Sequence, residues 1–525
     1  MQLPRLEIAL LAVALVAFVP MSFASDTSKA ERPNFLVIYT DDIGFADISS
    51  YGGPIATPRI DELAETGRTF TRAHASSSTC TPSRYSLLTG LYPFRNTRAE
   101  ILQGDAPLLI EPGSLTLASH LAEHGYHTAV IGKWHLGLGE GEVNWNGPVT
   151  PGPLEIGFDE SYLMPATNDR VPCVYLDGHF VENLDPTDPI RISYRQQVGD
   201  WPTGMSHPEL LRYTADGQHS GTIVNSIGRI GFQHGGEAAL WVDQEMAEKF
   251  TERAIETIER AEASDEPWFV FFSMHQPHLP LAPNDQFVGK SGYGLRGDAI
   301  LEADWSIGML IDALDRLDAR DDTLIIFSSD NGPVLNDGYN DGTLRDNGAH
   351  DPSGPYRGGK YTLWEAGTRV PFIASWPARI EPSETDELFG QVDLLASFAA
   401  LADAPLSNDV AQAVDSEDLS PLLVGDASRG RELLVTQGIG GQAIQDERWK
   451  LIPANNARRN FANHWTKRKH GGEGNPLTSP QITAGAYLFD LIADPGETTN
   501  VIDRHPEVAE RLRAALERIR EAPQP

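Results

Sequence analysis

Cys80-Thr81-Pro82-Ser83-Arg84, running into Tyr85-Ser86-Leu87-Leu88-Thr89-Gly90, sets a small sulfur side chain just ahead of a short apolar helix, with Pro82 suited to its first turn. A helix N-terminus offers unpaired N–H groups and the positive end of the helix dipole, so it favours an anion or an anionic nucleophile. Arg84 falls one turn inward, within reach of the same place. Two further pairs, Asp41-Asp42 and Asp330-Asn331, supply hard oxygen ligands without Cys or His support. Such a set suits Ca²⁺ or Mg²⁺ over zinc. One acidic pair alone marks a turn or a helix cap just as well, so the weight lies in their combination. Lys133 with His135, His275 with His278, and Arg357-Gly358-Gly359-Lys360 add cations and proton carriers.

These groups come after strongly apolar runs. Phe35-Leu36-Val37-Ile38-Tyr39 ends at Asp41-Asp42, Thr128-Ala129-Val130-Ile131 leads to Lys133 and His135, Trp268-Phe269-Val270-Phe271-Phe272 leads to His275 and His278, and Leu324-Ile325-Ile326-Phe327 ends at Asp330-Asn331. Continuous apolar strands imply a sheet covered on both faces, and in such sheets ligands bind beyond the carboxyl ends of the strands. One site receiving all four clusters is the economical expectation. Helical patterns separate the strands: one opens at Thr57-Pro58 and closes near Gly67, another runs from Leu115 to His124, and longer ones span Val242 to Glu262 and Asp298 to Leu317. Residues 165–236 are rich in Gly, Pro and polar side chains and lack a clear period, which reads as insertion loops with short hairpins. From Ser416 the pattern restarts with short strands at Leu451-Ile452 and Tyr487-Leu488-Phe489-Asp490, then an amphipathic helix from Pro506 to Ile519.

The 525-residue chain carries a formal charge of −33, which argues against general binding to nucleic acid or to an anionic membrane. An anionic substrate would then need a local positive site or a bound divalent cation. Arg5, the apolar run from Ile8 to Val19 and Ser22-Phe23-Ala24 read as a cleavable export signal over residues 1–24, too short for a stable membrane anchor. The periplasm or the exterior is the expected location. The two cysteines are Cys80 and Cys173, and an exported protein could pair them.

The pattern Cys80-x-Pro82-Ser83-Arg84-x-x-x-Leu88-Thr89-Gly90 resembles the signature of the type I, formylglycine-dependent sulfatases of the alkaline-phosphatase-like superfamily. Gly125-Tyr126-His127-Thr128 through Gly132-Lys133-Trp134-His135-Leu136 resembles that family's second signature, and Arg357-Gly358-Gly359-Lys360 through Glu365 to Val370-Pro371 gives a third match. The resemblance implies an α/β fold, with a large mixed sheet sandwiched by helices over residues 33–415, and a smaller α+β subdomain over 416–525. Leu488-Phe489-Asp490-Leu491, Asp494-Pro495-Gly496-Glu497 and Asn500 match the family's C-terminal part, with a docking role.

Carried over residue by residue, the resemblance implies that a maturation enzyme oxidises Cys80 to formylglycine, whose hydrate is the nucleophile. Asp41, Asp42, Asp330, Asn331 and the modified Cys80 would hold Ca²⁺ before Mg²⁺. Arg84 would stabilise the nucleophile and Asp330 would accept its proton. Lys133 and Lys360 would bind sulfate oxygens, His135 would serve proton transfer, and His278 in Pro277-His278-Leu279-Pro280 would protonate the leaving oxygen. Conversion of Cys80 would leave Cys173 without an intrachain disulfide partner. His275 stays open between a structural and a substrate role. Arg170, His179, Trp201 and His207 in the insertion, and Arg458, Arg459, Lys467, Arg468, Lys469 and His470, could contact a sulfated glycan, the basic run being equally a solvated face. The expected reaction is hydrolysis of carbohydrate sulfate esters. An arylsulfatase, a phosphate or phosphonate ester hydrolase of the same superfamily, or a non-catalytic sulfated-glycan-binding protein with unmodified Cys80 are the alternatives.

Overall fold

The computed structural model of the protein describes residues 32–264, 266–406, 413–439, 441–454 and 485–522. The expected export signal over residues 1–24 and the basic run from Arg458 to His470 lie outside the described residues.

The four apolar runs form adjacent strands. They are β1 (Asn34–Thr40), β3 (His127–Lys133), β7 (Trp268–Ser273) and β8 (Thr323–Ser329). With β2 (Gly67–Phe70), β4 (Glu160–Met164), β5 (Leu176–Asp177), β6 (Phe180–Val181), β9 (Phe372–Ser375) and β10 (Ser383–Thr385) they make a ten-stranded sheet in the order β10-β2-β9-β8-β1-β7-β3-β4-β5-β6. The centre, from β8 to β4, is parallel, with Val37 opposite Phe271 and Ile326. Antiparallel pairs flank the centre on both sides, and the edge strand β10 pairs parallel with β2. Parallel strands need crossovers, and the crossover helices cover both faces.

Alternation along β1 divides the core. Phe35, Val37 and Tyr39 point to one side, where Phe35 stacks 4.2 Å from Phe398 between ring centroids and Leu117 and Leu121 pack nearby. Those residues belong to α3 (Leu117–Glu123) and α6 (Leu394–Leu401), which lie on that face beside α2 (Cys80–Thr89). Leu36 and Ile38 point to the other side, against Phe250 and Ile258 of α4 (Met246–Ser264), Ile307 and Leu310 of α5 (Gly294–Arg316), and Ile60 of α1 (Pro58–Glu65). Full burial of each such side chain contributes about 1.5–3 kcal/mol. The helix starts are local: Pro58 opens α1, and Thr116 just before α3 bonds reciprocally with Ser119 in its first turn.

Residues 165–236 form short paired strands and turns, with one 3₁₀ turn over Pro208–Leu210 and no α-helix. After the main sheet, β11 (Leu434–Gly438), β12 (Gly441–Gln445), β13 (Trp449–Ile452) and β14 (Tyr487–Asp490) form an antiparallel sheet covered by α7 (Pro506–Glu521). Its core includes Leu434, Ile444, Leu451, Leu488 and Leu512, together with Tyr92, Leu388 and Val392 from the larger unit. A buried ion cluster also crosses the junction. Lys450 Nζ lies 3.0 Å from both Glu365 Oε1 and Glu497 Oε1, and Glu365 N donates to Glu497 Oε2 at 2.7 Å. Removing Lys450 leaves two facing buried carboxylates with Arg369 Nη1, 3.3 Å from Glu365 Oε2, as a partner for one of them. Lys450→Met is therefore expected to lower the unfolding free energy by about 3–5 kcal/mol in urea melts; a change below about 1 kcal/mol would show that the cluster does not hold the subdomain in place.

Candidate active site

The carboxyl ends of β1, β7 and β8 are laced together by backbone contacts. Asp41 N donates to Gln276 O at 3.0 Å, Asp330 N to Thr40 O at 3.1 Å, and Ile43 N to Ser329 Oγ at 3.0 Å. Asp41, Asp42, Asp330 and Asn331 consequently meet in a fully buried cluster. Asp42 sits in the left-handed region with φ 67°, a conformation that a non-glycine residue keeps only under firm local restraint.

Cys80 is the first residue of α2, with Thr79 as the extended cap, one position further into the helix than the sequence suggested. Pro82 is accommodated because the N–H of the third helical residue has no intrahelical partner to lose. Ser83 Oγ accepts from Ser77 N at 3.1 Å and donates to Ser77 O at 2.8 Å, fixing the chain entering the helix. Thr81 Oγ1 donates to His135 O at 2.8 Å, tying the helix start to the loop after β3. A sulfur or oxygen ligand atom from Cys80, Asp41 and Asp330 lies within 4.8 Å of each of the others.

Three cations converge on the three carboxylates. Arg84 Nε and Nη2 donate to Asp330 Oδ2 at 3.0 and 2.7 Å, and Arg84 Nη1 contacts Lys133 O and Ser273 Oγ. Lys133 pairs with Asp41 and lies 3.8 Å from Asp330 Oδ2. Lys360 Nζ donates to Asp42 Oδ2 at 2.9 Å. Its loop needs glycine at 358, where φ is 92° and a Cβ would stand 2.5 Å from Thr362 Oγ1. Burial raises the Asp41 pKa, but Lys133, His278, Lys360 and Arg84 outweigh it and hold the carboxyl well below its usual range. Burial, and then the charge of Asp41, push Asp330 up. Burial also pushes the Cys80 thiol up, so an unmodified Cys80 carries its proton and is a poor nucleophile.

A hard cation fits this cluster on its own donor atoms. Asp41 Oδ1, Asp330 Oδ1 and Asn331 Oδ1 are buried without a hydrogen-bond partner, although each faces a polar, charged environment. Buried polar oxygens are normally satisfied, and three such atoms together suit an oxygen-preferring divalent ion. Burial raises the Asp42 pKa to about 7. A bound divalent ion would hold all three carboxylates ionised, their charges would then cancel those of the three basic side chains, and the ion would leave a net positive site for an anion.

Cys80, His278 and Lys360 open into a cleft of about 320 Å³ shared with Gln103, Asp169, Arg170, Gln218, His219 and Tyr361. A larger concavity of about 620 Å³, bordered by Tyr85, Phe94, Arg98 and Glu111, contains none of the reactive groups. Of the insertion residues expected to meet substrate, only Arg170 reaches the cleft. His179 pairs with Glu155, Trp201 packs against His234, and His207 is exposed beside Ser206. The insertion instead contributes Asp169, Gln218 and His219, which sequence reasoning missed; the charged pair Asp169-Arg170 in an otherwise irregular stretch was the available signal. Cys173 is buried and unpaired, as Cys80 is.

The histidines divide. His278 Nδ1 lies 2.5 Å from Leu279 O and 3.0 Å from Asn168 Oδ1, which assigns the proton to Nδ1. Burial, then the charge of Lys360, lowers its pKa to about 3. His135 contacts Leu102 O through Nε2 at 2.9 Å, and its Nδ1 has no partner. Burial, with Lys133, lowers its pKa far below the usual value. His275 packs against Phe250 and does not line the cleft, which favours its structural role.

Nucleophile position, oxygen-ligand cluster and convergent cations at the carboxyl ends of a parallel sheet define a hydrolase for esters of tetrahedral anions. The sulfatase family model matches residues 33–404, and the chain belongs to that family of sulfuric ester hydrolases. It is 43% identical over 495 residues to an N-acetylgalactosamine-6-O-sulfatase of Bacteroides thetaiotaomicron, covering 94% of both chains. It is 31% identical to bovine arylsulfatase A, covering 95% of this chain and 89% of that one. A solved B. thetaiotaomicron structure, described with the metabolism of multiple glycosaminoglycans, superposes with a TM-score of 0.87 at 43% identity over 93% of this chain and 99% of the other. Among the described residues no helix is long and apolar enough to cross a membrane.

His219 yields a pH test. Burial alone would lower its pKa, but hydrogen bonds and charge from Asp169 and Asp216 win and push it from 6.5 up to about 9. Its contribution to stability is present in full below the unfolded value and is lost as pH rises through about 9. Such a rise corresponds to roughly 3 kcal/mol at most. His219→Gln should therefore lower Tm relative to wild type far more at about pH 6 than at about pH 10. An equal Tm deficit at both pH values would contradict a charged His219.

Proposed function

We propose that the protein removes sulfate from a carbohydrate ester, with a 6-sulfated N-acetylgalactosamine or a closely related amino sugar as the first candidate. The convergence of Cys80, the Asp41–Asp42–Asp330–Asn331 cluster and Lys133, Lys360 and His278 around one cleft carries the reading of the chemistry. The relative of 43% identity supports the sugar class. A cleft of about 320 Å³ is at the small end for ligand sites, which run to roughly 1,000 Å³, and suits one sulfated ring better than a long chain segment.

Cys80 is the position for formylglycine, whose hydrate supplies a hydroxyl nucleophile that a protonated thiol does not. Asp41, Asp42, Asp330, Asn331 and the modified residue 80 would hold Ca²⁺, which supplies charge stabilisation for the nucleophile and the sulfuryl oxygens. Arg84 fixes Asp330 and faces the nucleophile position. Asp330 accepts the proton of the attacking hydroxyl. Lys133 and Lys360 release part of their pairing with Asp41 and Asp42 and bind sulfate oxygens, offsetting the charge that grows in the transition state. His278 is neutral in the free site, and the arriving sulfate favours its charged form by opposing Lys360. The imidazolium then gives its Nε2 proton to the departing alcohol oxygen. The sulfuryl group passes to the attacking hydrate oxygen as the alcohol leaves. His135, with Nδ1 unpartnered, then accepts the proton of the remaining hydrate hydroxyl, the C–O bond to sulfate breaks and the aldehyde re-forms. The N-terminal 24 residues support export to the periplasm or beyond, where such glycans are met.

Two measurements test this. The mass of the peptide containing Cys80, from protein made alongside a formylglycine-generating enzyme, should show an aldehyde in place of the thiol. Cys80→Ala should fold and lose turnover by on the order of 10³-fold or more, and near wild-type hydrolysis by it would sink the mechanism. In kcat/KM, 6-sulfated N-acetylgalactosamine should exceed a matched phosphate ester and a small aryl sulfate. A preference for the aryl sulfate would transfer the assignment to arylsulfatase chemistry. Sulfated-sugar binding without turnover by matured protein would make it a binding protein.

A further inference from the structure

Arg296 and Asp47 lie outside the three sulfatase-like motifs, yet they touch the cation cluster from behind. Arg296 lies in the first turn of α5 and is fully buried. Its Nη1 and Nη2 donate to Asp47 Oδ1 and Oδ2 at 2.5 and 2.6 Å, a two-pronged clasp, and Nη2 also donates to Asp42 O at 3.0 Å. Asp47 in turn accepts from Gly44 N at 2.6 Å and from His350 Nε2 at 2.9 Å. The fork therefore grips both ends of the turn from residue 42 to residue 47.

That turn has no slack of its own. Asp42 is left-handed at φ 67°, without the glycine that normally takes such a conformation. A Cβ on Gly44 would stand 2.3 Å from Pro352 O, and Ala46 N is bonded to the same carbonyl at 2.9 Å. Asp42 O, turned inward by this geometry, would be a buried acceptor without Arg296. On the other side, Asn331 Nδ2 and Lys360 Nζ each hold one oxygen of the Asp42 carboxylate. Ile43 N is held by Ser329 Oγ at 3.0 Å, and Arg296 supplies the remaining backbone restraint, on the Asp42 carbonyl itself.

We infer that Arg296, clasped by Asp47, is a positioning residue for the cation site: it fixes the left-handed turn that presents the Asp42 carboxylate. The inference rests on the reading of Asp41, Asp42, Asp330 and Asn331 as cation ligands. Arg296 and Asp47 neutralise each other, so the effect is geometric, and charge at position 296 is insufficient. Arg296→Lys keeps the charge but loses the planar fork that reaches both Asp47 oxygens and the carbonyl together.

The test is calorimetric titration of the full-length, metal-stripped protein with CaCl₂, beside melting with and without CaCl₂. Arg296→Gln and Arg296→Lys should each weaken calcium binding by about tenfold or more. Both should shrink the calcium-dependent gain in Tm, while activity recovers at high calcium with an unchanged KM for the sulfate ester. Arg95→Gln, which breaks a different buried pair with Asp415, serves as the control and should keep the wild-type calcium affinity. Wild-type affinity in Arg296→Lys would overturn the geometric role, as would an equal loss in Arg95→Gln. Should Arg296→Gln fail to fold, the lysine variant decides the matter. Wild-type protein that binds no calcium would remove the cation reading itself, a result distinct from a variant that binds as well as wild type.

Discussion

Three carboxylates, Asp41, Asp42 and Asp330, are held together with no exposure to solvent. Like charges about 4 Å apart repel by roughly 4 kcal/mol per pair even at an effective dielectric of 20. Nothing apolar can offset that, so the fold must deliver positive charge to the same place. Arg84 arrives from α2, Lys133 from the end of β3 and Lys360 from the loop after β8. Each element that brings a cation is thereby pinned to the sheet's carboxyl edge. The same balance explains how a chain of net charge −33 can receive an anion. The formal charges of its active cluster cancel before any divalent ion enters, and the surrounding acidity is screened over about 10 Å at ordinary ionic strength.

Much of this was legible in the sequence because the chemistry sits at the ends of continuous apolar strands. A run such as Leu324-Ile325-Ile326-Phe327 admits few structures other than a buried parallel strand, and the residues just beyond such a run must emerge at the site. Asp41, Asp330, Lys133 and His278 could be placed that way, and the crossover helices are dictated by the same topology. The insertion was not legible. Beyond the β5 pairing with β4, its backbone bonds largely to itself through turns and two- or three-residue strands, with no period to show which side chains face the cleft. Trp201, His179 and His207 have the chemistry of sugar ligands and the wrong location, whereas Asp169 and His219 reach the cleft. Arg296 is silent in the sequence for another reason: a long-range contact across 254 residues leaves no local trace.

The positions of Lys133 and Lys360 also bear on the resting site. Both lysines spend their charge on ligand carboxylates, Lys360 on Asp42 and Lys133 on Asp41. A divalent ion would take over the neutralisation of those carboxylates and free the ammonium groups for a sulfuryl group. On the proposed reading, cation binding and substrate binding would be coupled through the same two side chains. Such coupling would be more specific than a general positive potential, because it would make the lysines available only when the carboxylate oxygens are otherwise satisfied.

Lys360 ties the catalytic unit to the C-terminal subdomain. Its loop runs directly into Trp364 and Glu365, and Glu365 is locked by Lys450 of β13 and by Glu497. Arg357, at the other end of the loop, donates to Glu497 O at 2.9 Å and lies over the Trp364 ring at 3.8 Å. Both ends of the segment bearing Lys360 are thus fastened by residues from beyond position 440. The small sheet and its helix act as a clamp on that segment, so the second domain has a stake in the geometry of the site although none of its described side chains enters the cleft. If Lys360 exchanges Asp42 for a sulfate, as proposed, it needs a backbone that holds still meanwhile, and the buried Glu365–Lys450–Glu497 cluster fastens the loop on that side.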